Sequence, residues 1–229
     1  MQTLNLSGET ITIYKSCNAI VHNDTIVYLQ TIQGNGQDVW QQCKALGAQN
    51  LTLVSVEVEN WNDALTPWPC EGIFAKDKPF AGKAEQQLNT LEHVVSTAES
   101  HLEAKPSHRC IAGYSLAGLF ATWAPFKTDI FDASISASGS LWYPGFAEFV
   151  AENPLLSPLK GAYFSLGSKE AKTPSRLLRN VASGTQSVIE SFKAKGVPAY
   201  FEKNPGNHFK EPDLRMAKGI CWALENLPS

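Results

Sequence analysis

The feature that most constrains this chain is a place where a strand has to become a helix with almost no loop between them. Residues 109–112 are a short run of strand character, and a helical period begins at Leu116, so Gly113, Tyr114 and Ser115 must make the whole corner. A corner that tight brings strand and helix backbones together. Only small side chains fit two positions before and two after its apex. Gly113 and Ala117 meet that need, and Gly118 lets the helix lie close on a sheet. The apex residue, Ser115, is then presented in a strained turn, as a nucleophile is. The pattern is Gly-x-Ser-x-Ala rather than Gly-x-Ser-x-Gly, a mild departure because alanine is still small. The competing reading is a serine that merely caps the helix.

The corner sits about halfway along an alternating chain. Strand-like runs at residues 11–14, 25–32, 51–58, 109–112, 131–136, 162–166 and 199–202 interleave with helical periods at 37–46, 84–104, 116–123, 174–195 and 213–225. That order predicts a mostly parallel sheet with helices on both faces. With 229 residues, one α/β domain over 1–229 is the expectation. Two connections, 59–82 and 137–159, exceed the usual length and are expected to lie over the site as binding loops or lids. Their aromatic residues, Trp61, Trp68, Phe74, Trp142 and Tyr143, predict an aromatic-lined, fairly open cleft. Local packing is the alternative for each of them.

A serine hydroxyl needs a base, and histidine is the natural one near neutral pH. Of five candidates, His93 and His101 lie in the long helix, His22 precedes a strand, and His108 starts the strand whose far end carries Ser115. His208, in the turn-rich run Asn204-Pro205-Gly206-Asn207-His208-Phe209 before the last helix, stands where an α/β-hydrolase carries its histidine. The acid that orients it should lie between, in the loop after the strand ending Ser165-Leu166-Gly167. The first acid there is Glu170. Asp213, Glu211 and a Ser/His dyad remain rivals. For the oxyanion, the backbone N–H of Leu116 is one expected donor, and Ile32, in the loop at 31–36, is the choice for the second.

Other classes fit less well. The charge of −3 comes from 19 basic and 22 acidic residues with no basic track, so nucleic acid is not an expected partner. No run is long and apolar enough to span a bilayer, and the start MQTLNLSGET lacks a basic region followed by an apolar one, so a cytoplasmic protein with no membrane partner is expected. Five cysteines without a CxxC pair read as reduced thiols, and no metal or cofactor is expected. A Gly34-x-Gly36 turn with Glu57 downstream superficially suggests a dinucleotide fingerprint, but Val39 occupies the third glycine's place. A non-catalytic scaffold on the same fold, a thioesterase and an acyltransferase remain alternatives to an esterase.

The run GYSLAGLFATWAPFKTDIFDASISASGSLWYPGF resembles the esterase group of the α/β-hydrolase superfamily that includes esterase D and the enterochelin-type siderophore esterases. The resemblance continues through Ser140-Leu141-Trp142, through Ser165-Leu166-Gly167 with Glu170, and through Pro205 to His208. It covers about the C-terminal 120 residues, while the N-terminal part matches only in strand order, notably Ile26-Val27-Tyr28-Leu29. It implies an α/β-hydrolase fold with a minimal cap, and hydrolysis of a small-molecule ester through Ser115, Glu170 and His208. A charged iron chelate would favour a basic pocket, and the two loops expected over the site hold no arginine cluster.

Overall fold

A computed structural model describes residues 1–6, 9–15, 25–32, 34, 36–73 and 76–228. Eight strands form one sheet: β1 (Gln2–Leu6), β2 (Glu9–Lys15), β3 (Thr25–Thr31), β4 (Leu51–Glu57), β5 (His108–Tyr114), β6 (Ala133–Ala137), β7 (Gly161–Gly167) and β8 (Ala199–Asn204). Their order is β1-β2-β4-β3-β5-β6-β7-β8. β1 and β2 pair antiparallel, as do β2 and β4, and all other pairs are parallel. This is the mostly parallel sheet that the alternation of elements predicts. β1 is the strand that the sequence reading omits. Its signal, Ser7-Gly8 between two alternating runs, is short and polar, and β1 is an edge strand.

The helices are α1 (Gln37–Ala45), α2 (Trp61–Ala64), α3 (Ala84–Leu102), α4 (Leu116–Trp123), α5 (Phe146–Glu152), α6 (Val181–Ala194) and α7 (Pro212–Asn226). The strand pleat assigns alternate residues to two cores. Ile26, Tyr28 and Ile111 face one core with α3 to α6, while Val27, Leu29, Cys110 and Ala112 face another with α1 and α7. Burial on both faces explains why the central strands read as continuous apolar runs. Helix α6 starts at Val181, not at 174. A single 3-10 turn at Leu178–Asn180 precedes it, leaving residues 168–177 as a loop beside the sheet's carboxyl end. The two long connections contain α2 and α5, each too short to show a period in sequence.

Helix α4 lies unusually close to β6, and small residues on both sides make this possible. A Cβ on Gly118 would come within 2.8 Å of the Gly139 Cα and 2.9 Å of the Ser136 hydroxyl. The Ser134 and Ser136 hydroxyls donate to the α4 carbonyls of Ala121 and Gly118 at 2.7 and 2.9 Å. The Ser-rich strand is thus a packing device, in which hydroxyls short enough to fit are also satisfied.

Candidate active site

Strand β5 turns into α4 at Ser115, whose φ of 60° and ψ of −122° place a non-glycine residue in a region L side chains rarely adopt. Such a backbone costs about 1–3 kcal/mol and persists only where its surroundings dictate it. The surroundings are explicit. A Cβ at Gly113 would meet the Ala117 backbone at 2.3 Å, the Ser115 amide donates to the Ala137 carbonyl, and the Ser140 amide donates to the Ser115 carbonyl at 2.9 Å. The Ser115 side chain makes no capping bond to α4. Its Oγ lies 3.1 Å from His208 Nε2 and 3.5 Å from the Ser140 hydroxyl.

His208 Nδ1 lies 2.9 Å from Glu170 Oε2. Since a carboxylate only accepts, Nδ1 carries the proton, which leaves Nε2 to accept from the Ser115 hydroxyl. Ser115, His208 and Glu170 come from three separate loops at the carboxyl end of β5, β8 and β7, and a single hydrogen-bonded chain joins them. Asp213 is in the first turn of α7, where burial and the charge of Asp38 raise its carboxyl above the ordinary value. Glu211 is exposed at the N-cap of α7. The contact to His208 Nδ1 belongs to Glu170, not to either of them.

The Glu170 side chain is only 3% exposed. Burial pushes its carboxyl up, but hydrogen bonds from His208, the Gly167 amide and the Ser138 hydroxyl outweigh that and hold it below the usual carboxylate range. Arg215 Nη1 adds a bond to Oε1 at 2.9 Å. The sequence reading did not single out this arginine. Its signal was present: a charged side chain on the face of α7 that otherwise buries Met216, Ala217, Gly219, Ile220 and Ala223.

The chain of three opens into a cleft of about 630 Å³, lined among others by Trp61, Ile73, Phe80, Leu116, Trp142 and Phe209. Trp61 and Trp142 therefore stand where the loop argument puts them. Trp68 and Tyr143 are not in the lining. The Tyr143 hydroxyl donates to the Trp68 carbonyl at 2.7 Å, and the Trp68 indole donates to the Pro144 carbonyl at 3.0 Å. The Trp68 ring also packs on Phe146 and Phe149, so this pair pins the two long connections to each other behind the cleft wall. Their polar atoms find partners within the protein, and local packing wins over ligand contact. Phe74 lies outside the described residues, as do His22 and Cys17.

Leu116 lines the cleft with its amide at the start of α4. Ile32 follows the last residue of β3, is 55% exposed, and is not among the lining residues. Gly36 is needed for packing: at φ 76° it begins α1, and a Cβ there would meet the Ser55 hydroxyl at 2.8 Å. Among the described residues no group of three or more metal-binding side chains comes together, and no helix is long and apolar enough to cross a membrane.

The cleft lining holds no arginine, but it does hold lysines. Lys169 and Lys172 come from the loop before α6 and Lys78 from the connection before α3, and all three line the cleft with Asp77. Folding brings the lysines of these two segments to the same cleft.

The fold recurs in solved structures. Siderophore hydrolase EstA from Aspergillus nidulans superposes with a TM-score of 0.75 at 16% identity, over 95% of this chain and 90% of its own. An IroE-like serine hydrolase from Shewanella oneidensis superposes with a TM-score of 0.76 at 16% identity, over 96% and 78%. No family model matches the chain. Among curated proteins, the uncharacterized protein YbbA of Bacillus subtilis (strain 168) is 30% identical over 181 residues, which are 75% of this chain and 72% of YbbA. The chain, an α/β-hydrolase by fold, therefore belongs to the same family as YbbA of Bacillus subtilis.

Proposed function

We propose that the protein is a serine hydrolase acting on carboxylic esters through an acyl-enzyme. The observation that carries this reading is the continuous chain from the Ser115 hydroxyl through both His208 nitrogens to an ionised Glu170. Ser115 Oγ attacks the ester carbonyl while His208 Nε2 takes its proton, and Glu170 stabilises the imidazolium that forms. The tetrahedral oxyanion is held by the Leu116 amide, and the Ile32 amide is the candidate for a second donor. Collapse breaks the ester C–O bond, and His208 returns the proton to the departing alcohol. Water, deprotonated by the same nitrogen, then attacks the acyl-serine and releases the acid.

The lining favours an ester that pairs an apolar or aromatic body with negative charge. Trp61, Phe80 and Trp142 supply the first surface and Lys78, Lys169 and Lys172 the second, in a chain that is acidic overall. Glu170 does not cancel these lysines because it is committed to His208 and Arg215. Siderophore hydrolysis, the activity in the name of the structural relative EstA, suits such a site.

A fluorophosphonate probe on wild type and Ser115→Ala tests the chemistry: labelling of the first and not the second is expected. Absence of labelling in folded wild type would favour a non-catalytic scaffold. A panel of p-nitrophenyl esters of rising acyl length, with a succinate half-ester beside the neutral butyrate, tests the pocket. The anionic ester should show the higher kcat/KM, and its advantage should shrink as salt is added.

A further inference from the structure

The serine, the histidine and the acid do not complete the constellation, because His208 sits on a loop with no regular structure between β8 and α7. Something has to hold that loop still. Arg215 is 1% exposed, and its guanidinium reaches every side of the problem. Nη1 bonds Glu170 Oε1 at 2.9 Å and the Ser138 hydroxyl at 3.0 Å. Nη2 donates to the Pro205 and Asn207 carbonyls at 2.8 and 2.9 Å, on the very loop that carries His208. Nη1 also donates to the Tyr114 hydroxyl at 3.3 Å, and that hydroxyl donates to the His208 carbonyl. Gly167 leaves room for both the arginine and the His208 loop: a Cβ there would lie 2.6 Å from the Gly206 carbonyl oxygen and 2.9 Å from both terminal nitrogens.

We propose that Arg215 is a positioning residue, which fixes the His208 loop by its carbonyls and fixes the Glu170 carboxylate by the oxygen that does not face His208, so that acid, base and nucleophile share one rigid reference point. The proposal rests on the esterase reading given above. The planar fork explains why arginine is required. It meets a carboxylate, a hydroxyl and two carbonyls from one rigid plane, whereas a lysine ammonium has three donors and no fixed spread. The ends of β5, β7 and β8 and the start of α7 all converge on this one group. Arg215 is buried and not among the residues that line the cleft, so its loss should act on turnover and leave binding alone.

The test is steady-state hydrolysis of one p-nitrophenyl ester by wild type, Arg215→Met, Arg215→Lys and Tyr114→Phe, with the folded fraction of each followed by circular dichroism. Misplacing a catalytic group by about 1 Å costs about 10²-fold, so Arg215→Met should lose roughly that factor in kcat with KM unchanged within about threefold. Arg215→Lys should recover part of the loss, and Tyr114→Phe should lose several-fold. A loss in Arg215→Met that merely follows the folded fraction, or an equal rise in KM, would overturn the proposal. If Arg215→Met does not accumulate as folded protein, the other two variants decide, and wild-type kcat in both would overturn it. Fluorophosphonate labelling of the wild type separates the two levels: an inert wild type removes the esterase reading and this proposal together, whereas an active wild type with indifferent variants removes the proposal alone.

Discussion

Strand β5 has polar groups around a histidine at each of its ends, and only one end holds the groups that the proposed hydrolysis requires. At its start, His108 Nε2 lies 2.7 Å from the Pro228 carbonyl, so that nitrogen must donate, and Nδ1 is left to accept from Lys160 at 3.3 Å. Beside it Arg109 forks onto Glu99 at 2.6 and 2.8 Å, and Tyr28 donates to the same carboxylate. At the strand's end, His208 has Nδ1 on a carboxylate and Nε2 on a serine. Both ends of the strand have an arginine–glutamate pair and a histidine, although at the start the pair and His108 lie on opposite faces of the sheet. The difference is what the histidine's second nitrogen faces: a cation at one end, a hydroxyl on a strained corner at the other. Parallel strands place loops with free geometry at their carboxyl ends, where a nucleophile, its base and its acid can converge. The amino ends are tied down by closing contacts such as those of Pro228 and Asp132.

The sharpest way to break this comparison is Ser115→Ala, which should lower kcat by about 10⁴-fold or more and abolish fluorophosphonate labelling with the thermal midpoint nearly unchanged. Residual turnover near wild type would mean that the two ends do not differ in chemistry. His208→Gln and His108→Gln form the next pair. The first should lose about 10³-fold or more in turnover, and the second should keep wild-type kcat and lose only stability, read by thermal melting.

Glu170→Gln and Glu99→Gln compare the two carboxylates directly. Glu170→Gln should cut kcat by about 10³- to 10⁴-fold, because an amide can donate to Nδ1 and select the wrong tautomer. Glu99→Gln should cost about 1–3 kcal/mol in denaturant titration, as a charged hydrogen bond in a part-buried pair is weakened, with kcat unaltered. The smallest effect is on acid stability. The folded-state pKa of Glu170 is depressed, so its contribution is present above the ordinary carboxylate range and is lost as pH falls through the folded value. Wild type should therefore lose more stability than Glu170→Gln does on acidification below the ordinary carboxylate range, and parallel acid-melting curves for the two would contradict this.

How much could be read in advance follows from how local each signal is. The corner at Ser115 was legible because Gly113, Ala117 and Gly118 sit within five residues of it and their smallness has a steric reason. The order of serine, acid and histidine was legible because the alternation of strands and helices fixes which loops share the carboxyl end. The aromatic wall was legible only in part. Four tryptophan and tyrosine side chains were placed in the two long connections, but nothing in the sequence distinguishes Trp142, which faces the cleft, from its neighbour Tyr143, whose hydroxyl turns away to the Trp68 carbonyl. That choice follows from how the α5 segment docks.

The chain's own residues thus determined the sheet, the corner and the presence of a hydroxyl, an imidazole and a carboxylate in workable order, since each rests on hydrophobic period or on steric limits between near neighbours. Tertiary structure alone decided the rest. Arg215 meets Glu170 across 45 residues and Tyr114 across 101, and Lys78 shares a cleft with Lys169 and Lys172 only once two loops fold over it. A buried charge is tolerable only with partners already in place around it, and the folded arrangement is what supplies them.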